Sequence, residues 1–298
     1  MTKKAEEATI SVIIPTFNRY PFIVDTINHI IPLLRNNDEL IIVDQSNRDV
    51  TAKIKADLSV KENTIIYKTI AFPSLPNARN VGIELARNAI FLFLDDDIEP
   101  DKNILEEHRK MYNMKNVGGV AGAVVEAGCP FTNTKATGGG MTCYGRVYRN
   151  FTGNKIIPVC SFLGANMSFS RKAFEKTGYF DCGYTGNATL EETDYAYRLR
   201  SAGFRIMFNP NARLIHLIAG SGGCRESTSK KRESSNIRNA TRFYLKNMNK
   251  AFFPLFFVYT IFLSVKRLRS SLGVVRSLKL GTHAICEGII SLKKATSL

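Results

Sequence analysis

An α/β sheet followed by a basic, amphipathic helical tail is the architecture expected for this chain of 298 residues. Three features predict it: apolar β-branched runs too continuous for half-exposed strands, helical periodicities between them, and carboxylates at the strand ends. Composition agrees. Hydrophobic residues at 44% and charged residues at 22% match ordinary globular usage, which excludes a mostly disordered chain and a multi-span membrane protein. The length excludes a mini-protein and suffices for a sizeable core.

Residues 9–14, Thr-Ile-Ser-Val-Ile-Ile, predict a buried strand that stops at Pro15. Ile23, Ile27, Ile30, Ile31 and Leu34 follow at helical spacing, and Leu40–Val43 is a second buried strand ending in Asp44. The scheme repeats with a strand over 64–70, a helix over 77–88 and the strand Ile90–Leu94, which runs into Asp95-Asp96-Asp97. A helix over 101–114 and a strand over 117–125 come next, whereas 127–158 carries turn residues and aromatics without a clear period. Beyond it the pattern predicts helices over 171–177 and 191–202, and two short strands over 205–208 and 212–216. Residues 219–232, rich in Gly, Ser and basic side chains, read as a linker.

The net charge of +15 is lopsided, since residues 225–298 hold 15 Lys and Arg against 3 acidic residues. That excess points to an anionic surface. Ala251–Val265 is apolar and aromatic, contains Pro254, and is bounded by Lys250 and by Lys266, Arg267 and Arg269. A spanning helix needs about 20 residues, so the run is expected to lie in the membrane interface rather than to cross. A second amphipathic segment is expected over 274–290; packing on the preceding domain or a homo-oligomer contact are the alternatives for the tail. Nucleic acid is not an expected partner, because the cations flank an apolar run instead of lining a polar groove.

Six cysteines at 129, 143, 160, 182, 224 and 286 show no Cys-x-x-Cys pair and no histidines at zinc-finger spacing, so reduced thiols are expected and a structural zinc site is not. The opening residues read as having no signal peptide: Lys3-Lys4 and Glu6-Glu7 precede an apolar run that ends at Pro15. A cytoplasmic setting is the expectation, either free or on the cytosolic face of a membrane.

Three features could carry chemistry. Adjacent Asp95, Asp96 and Asp97 repel one another unless a cation offsets them, and a hard divalent ion with oxygen ligands does so; an acidic capping turn is the plainer reading. His216 ends a strand between apolar neighbours and is either a core histidine or a ligand completing a carboxylate site, which would suit Mn better than Mg. Glu191, Glu192 and Asp194 open a helix, where acids complement the helix dipole and one could also act as general base toward a hydroxyl.

In order and spacing these landmarks resemble the family 2 glycosyltransferases over about Ile10–Ser221. Ser11–Arg19 is similar to the opening nucleotide-binding strand and loop, with Pro15, Thr16, Asn18 and Arg19 as the expected contacts. Ile41–Ser46 resembles the second strand, where Asp44 would meet the base; many members carry another acid where Gln45 stands. Asn77–Gly82 resembles the segment that places an arginine, here Arg79, near the nucleotide. Asp95-Asp96-Asp97 looks like the Asp-x-Asp motif, with Asp95 and Asp96 toward the nucleotide and Asp95, Asp97 and His216 toward the metal. Gly164-Ala165-Asn166 is similar to the stretch beneath the donor sugar, and Glu191-Glu192-Thr193-Asp194 takes the place of the Glu-Asp motif, with Glu192 as base and Asp194 and Glu191 as rivals.

The resemblance implies a GT-A fold, a Rossmann-like mixed sheet flanked by helices, over residues 8–224, with 225–298 as a separate helical region. It also implies an inverting enzyme that uses a divalent cation, Mn or Mg, to move a sugar from a nucleotide diphosphate donor, foremost a UDP-sugar, to a hydroxyl. A glycan or lipid-linked acceptor in surface polysaccharide synthesis is the expected context. A retaining route would call for a second nucleophile, for which the sequence offers no candidate. The rival from another class is a non-catalytic nucleotide-sugar or carbohydrate binding module on the same fold.

Overall fold

A computed structural model describes residues 8–58, 65–129, 139–148, 151, 153–220, 222–224 and 228–295. The first half alternates as expected: β1 (Ile10–Thr16), α1 (Phe22–Ile30), β2 (Glu39–Asp44), α2 (Arg48–Leu58), β3 (Ile65–Thr69), α3 (Leu75–Leu85) and β4 (Ile90–Leu94). After the acidic triplet come β5 (Ile98–Pro100), α4 (Ile104–Met111) and β6 (Val117–Glu126), then three short strands, β7 (Gly140–Met141), β8 (Val147–Tyr148) and β9 (Ile157–Val159). The unit closes with β10 (Asn166–Ser170), α5 (Arg171–Thr177), α6 (Glu191–Ser201) and β11 (Arg205–His216), and helices α7 (Ser229–Asn247), α8 (Phe253–Leu272) and α9 (Val274–Ala295) follow.

The main sheet runs β3-β2-β1-β4-β10-β6-β11-β5, with β9 alongside β11. Strands β3, β2, β1 and β4 are parallel, β10 is antiparallel to both its neighbours, and β6 and β11 are again parallel, so the sheet is mixed. Both faces are covered, which is why β1 reads as an unbroken apolar run. Ile13 packs with Phe91, Phe93, Phe169 and Tyr195 on one side, and Val12 and Ile14 pack with Ile23, Ile27 and Ile104 on the other.

Several boundaries differ from expectation for identifiable reasons. Helix α3 starts at Leu75 because Pro76 fits the first helical turn, where its missing N–H costs nothing. Helix α2 was not expected, since only Ile54 and Leu58 are buried on it. The two strands expected over 205–216 are one strand, β11, whose register against β6 shifts between Asn209 and Arg213 and so absorbs Pro210. The expected linker over 219–232 falls partly outside the described residues, and its end is helical, because the Thr228 side chain accepts the Lys231 N–H and caps α7. The expected boundary between 224 and 225 abuts the undescribed residues 225–227.

The tail packs on the preceding unit. Phe243, Tyr244 and Phe256 join Tyr184 and Leu190 in one apolar cluster. Lys250–Leu272 is, among the described residues, one helical stretch long and apolar enough to cross a membrane, longer than the 15-residue run seen in the sequence because the helix continues through Lys266–Leu272. On α8, Phe256, Thr260, Ser264 and Leu268 face inward at helical spacing, while Leu255, Val258 and Phe262 are more than half exposed.

The seam between α6 and α7 is polar and charged. Arg242 grips Asp181 with Nη2 to Oδ1 at 2.8 Å and Nε to Oδ2 at 3.1 Å, and Lys246 bridges Asp181 and Asp194, each at 2.9 Å. Burial alone would raise the Asp181 carboxyl, but hydrogen bonds from Arg242 and Lys246 hold it down at about 2. The depressed value means that this pairing contributes fully above about pH 4 and fades as pH falls toward 2. Asp181→Asn is therefore expected to cost about 2 kcal/mol at pH 7 and little at pH 2, as read from urea melts across that range.

Candidate active site

Strands β1, β2 and β4 end at the same edge of the sheet, and their loops meet the loop after β11 around a cleft of about 860 Å³. Pro15, Thr16, Arg19, Asp95, Asp96 and His216 all line it, joined by Gln45, Asn187 and the glycines of the 220–223 loop.

The acidic triplet divides its labour. Asp96 is buried and held from three directions: Thr16 donates to Oδ2 at 2.7 Å, Arg19 donates to Oδ1 at 2.8 Å, and Thr26 donates to its carbonyl at 3.0 Å. Burial pushes its carboxyl up to about 7 in spite of Arg19 and Thr16. Asp97 is fully buried, with Oδ2 accepting the Ala219 N–H at 2.8 Å and its carbonyl accepting the Leu217 N–H at 2.9 Å, so the post-β11 loop is pinned to it. Burial would raise Asp97, but His216, Ala219 and Arg19 together bring it below the usual carboxylate range.

Asp95, Asp97 and His216 converge, one potential ligand atom from each lying within 4.8 Å of the others. His216 Nε2 is 3.2 Å from Asp97 Oδ1 and 3.5 Å from Asp95 Oδ2, and the closeness of Asp95 and Asp97 holds the imidazole up at about 9. Asp97 Oδ1 makes no well-aligned hydrogen bond although Arg19 lies 2.7 Å away. A buried anionic oxygen without a hydrogen bond, next to a second carboxylate and an imidazole, fits a small divalent cation, and the O, O, N donor set suits Mn or Mg.

The three acids of α6 are equally distinct. Asp194 is fully buried and saturated, accepting from Asn247 Nδ2 at 2.8 Å, Lys246 Nζ at 2.9 Å, Arg198 Nε at 3.0 Å and Tyr184 OH at 3.3 Å. Glu191 pairs with buried Arg79, whose Nη2 also donates to the Gly164 carbonyl at 3.1 Å. Glu192 is slightly more open than either neighbour, at 6% exposure. Burial lowers the Arg79 pKa while Asp95 and Glu192 act against it, which puts this arginine within the fields of both acidic groups.

Packing ties α6 to the sheet, although none of its three acids is among the residues that line the cleft. Phe93, Phe169 and Tyr195 form a ladder of rings with centroids 5.1 and 4.3 Å apart, tying α6 to β4 and β10, and Phe180 stacks on Tyr195 at 4.6 Å. The backbone is strained around the site. Asn18, Ala188, Leu190 and Ile218 all hold positive φ (53°, 50°, 73° and 55°), in the β1 loop, before α6 and after His216.

Other expected contacts stand differently. Asp44 is turned into its own loop, where the Ser46 N–H at 2.8 Å, Thr51 at 2.6 Å and Tyr67 all donate to it; Gln45 faces the cleft beside it. Asn18 links the β1 and β2 loops, its Oδ1 accepting the Asn47 N–H at 3.0 Å. Arg79 is buried at Glu191, with its guanidinium over the Phe180 ring, rather than on the cleft wall. Gly164 and Ala165 lie beside that pair, but the Asn166 side chain points into the core, donating to the Ala123 and Ala212 carbonyls and bonded at Oδ1 to His108. Its amide spans three elements at once, which leaves nothing to offer a sugar. Gln45 and Asn187 were missed because single amides in loops carry no spacing signal.

A mixed, helix-covered sheet with carboxylates and a histidine gathered at its strand ends is the architecture of the GT-A glycosyltransferases. The profile of Glycosyl transferase family 2 matches residues 11–178, more than half of the chain, and the protein belongs to that family. Curated relatives include an uncharacterized glycosyltransferase, EpsJ, of Bacillus subtilis, 31% identical over 88 residues (30% of this chain, 26% of the relative). Another is the glycosyltransferase GlyG of Streptococcus pneumoniae, 25% identical over 114 residues and 38% of each chain. The matches thus span well under half the length of these relatives. Among solved structures, GalNAc-T7 with UDP, GalNAc and Mn2+ aligns with TM-score 0.68 at 15% identity, over 93% of this chain and 55% of that one. The mannosyltransferase PcManGT of Pyrobaculum calidifontis, in complex with GDP-Man and Mn2+, aligns with TM-score 0.58 at 16% identity, over 94% and 75%. At these identities the likeness establishes the fold.

Proposed function

We propose that the protein is a metal-dependent, inverting glycosyltransferase. It moves a sugar from a nucleoside diphosphate donor, foremost a UDP-sugar, to a hydroxyl of a glycan or lipid-linked acceptor during surface polysaccharide synthesis. The observation that carries this reading is the convergence of Asp95, Asp97 and His216, with Asp95 and His216 on the cleft wall and Asp97 buried beside them. The metal- and nucleotide-bound state of the structural relatives supports it.

Asp95, Asp97 and His216 would hold the divalent ion, whose charge offsets the negative charge that develops on the leaving diphosphate. Arg19 keeps Asp96 and Asp97 in place, and the loop pinned by Ala219 closes over the same edge. We assign the base role to Glu192, the most open of the three acids of α6 at 6% exposure and the one that takes the place of the family's second motif acid; Asp194 is saturated by four donors and Glu191 is paired with Arg79. The acceptor oxygen attacks the anomeric carbon, the bond from that carbon to the diphosphate breaks, and the hydroxyl proton passes to Glu192. One in-line displacement of this kind inverts the centre.

The same proposal places the enzyme peripherally on the cytoplasmic face of a membrane. Leu255, Val258 and Phe262 on the outer side of α8 support it, together with the exposed cations Lys266 and Arg269 that follow them. The test is release of nucleoside diphosphate from UDP-, GDP- and dTDP-sugars with Mn2+, Mg2+ or chelator, with and without vesicles containing anionic lipid. Cation-dependent release from one donor, enhanced by the vesicles, is expected. Absence of release, joined with failure of the free nucleotides to bind in Mn2+, would leave a non-catalytic module.

A further inference from the structure

The helical region after residue 224 reaches into the cleft. Arg232, in the first turns of α7, lines the same wall set as Asp95, Asp96 and His216. It lies beyond residues 11–178, the part of the chain that carries the family match. Its place is fixed from behind. Asn236, one helical turn on and on the same face, accepts from Asn187 at 2.6 Å and from Thr189 at 3.0 Å, and Asn187 itself lines the cleft. The charged seam at Asp181 and Asp194 anchors the far end of the helix.

Charge accounting at the cleft singles this residue out. Arg19 is engaged with Asp96 and Asp97, and Arg79 with Glu191. The His216 imidazole faces Asp95 and Asp97. Arg232 is exposed to the cleft and has no carboxylate partner among the described residues. A diphosphate entering beside three aspartates needs positive charge beyond what a single divalent ion and Arg19 provide. A guanidinium, with its planar fork of donors, matches phosphate oxygens two at a time.

We propose that Arg232 binds the diphosphate of the donor and of the leaving nucleotide, so that α7 completes the catalytic cleft. This rests on the nucleotide-sugar reading above. The test compares the wild-type protein, Arg232→Ala and Arg232→Lys with Mn2+ present. Affinity for UDP, GDP and dTDP is measured by calorimetry, and affinity for uridine, guanosine and thymidine by ligand-detected NMR, which reads weak binding. For whichever base binds, Arg232→Ala is expected to weaken the diphosphate by about tenfold or more and to leave the nucleoside unchanged, with Arg232→Lys in between. Arg232 is exposed, so a thermal melt like that of wild type is expected for both variants. Diphosphate affinity of Arg232→Ala within about twofold of wild type overturns the inference alone, as does an equal loss for the nucleoside. Failure of the wild-type protein to bind any of the three diphosphates overturns the nucleotide-sugar reading as well.

Discussion

Asp97→Ala is expected to abolish Mn2+-dependent binding of the nucleotide and, with it, sugar transfer. Asp97 is fully buried and serves three partners: His216 and Arg19 at Oδ1, and the Ala219 N–H at Oδ2. Removing the carboxylate deletes a proposed ligand, leaves His216 facing Asp95 alone, and takes one of the two Asp97 bonds from the loop that follows β11. Losing the hydrogen bond between the Ala219 N–H and the Asp97 carboxylate costs about 1.5–3 kcal/mol, so a moderate fall in melting temperature accompanies the loss of function. Calorimetric titration of Mn2+, alone and with nucleotide, checks the first part. Unchanged Mn2+ affinity in a folded variant would remove Asp97 from the ion's ligand set.

Glu192→Gln has the largest expected effect on rate with the smallest on binding. The amide keeps the shape of the side chain but loses its charge and its ability to accept a proton, so kcat should fall about 10²- to 10⁴-fold while donor affinity stays near that of the wild type. Asp194→Asn is the informative contrast. Its four donors, two of them cations, make it a structural anchor, and the substitution should appear mainly as lost stability, about 3–5 kcal/mol for a broken buried pair. Normal turnover by Glu192→Gln, with collapse of turnover in a stable Asp194→Asn protein, would exchange the two roles.

The parts of the fold that could be read from the sequence are those set by burial period. Continuous runs such as Ile10–Ile14 and Phe91–Leu94 are strands covered on both faces, and the acids that follow them sit at strand ends as a consequence. His216 and the Asp95–Asp97 triplet, separated by about 120 residues, meet because β11 pairs with β5 in a register that sets His216 opposite Ile98. The ordered landmarks made that meeting an expectation, but only the pairing shows it. Side-chain direction was not legible. Asn166 and Asp44 belong to segments that resemble ligand-binding stretches, yet both spend their polar atoms on the protein's own backbone and side chains. The extent of the helical tail was hidden because a charged run, Lys230-Lys231-Arg232, reads as a solvated linker until Thr228 is seen capping it.

The joint between α6 and α7 bears on how this protein can be divided. A chain cut after residue 224 would leave Asp181 without Arg242 and Lys246, Asp194 without Lys246 and Asn247, and the apolar faces of Tyr184 and Leu190 in water. All of these residues border the helix that carries Glu191 and Glu192. The last 70 or so residues are thus packed into the preceding unit through an apolar cluster and a set of ion pairs. A graft of this tail onto a different unit would have to bring Asp181 and the acids of α6 with it.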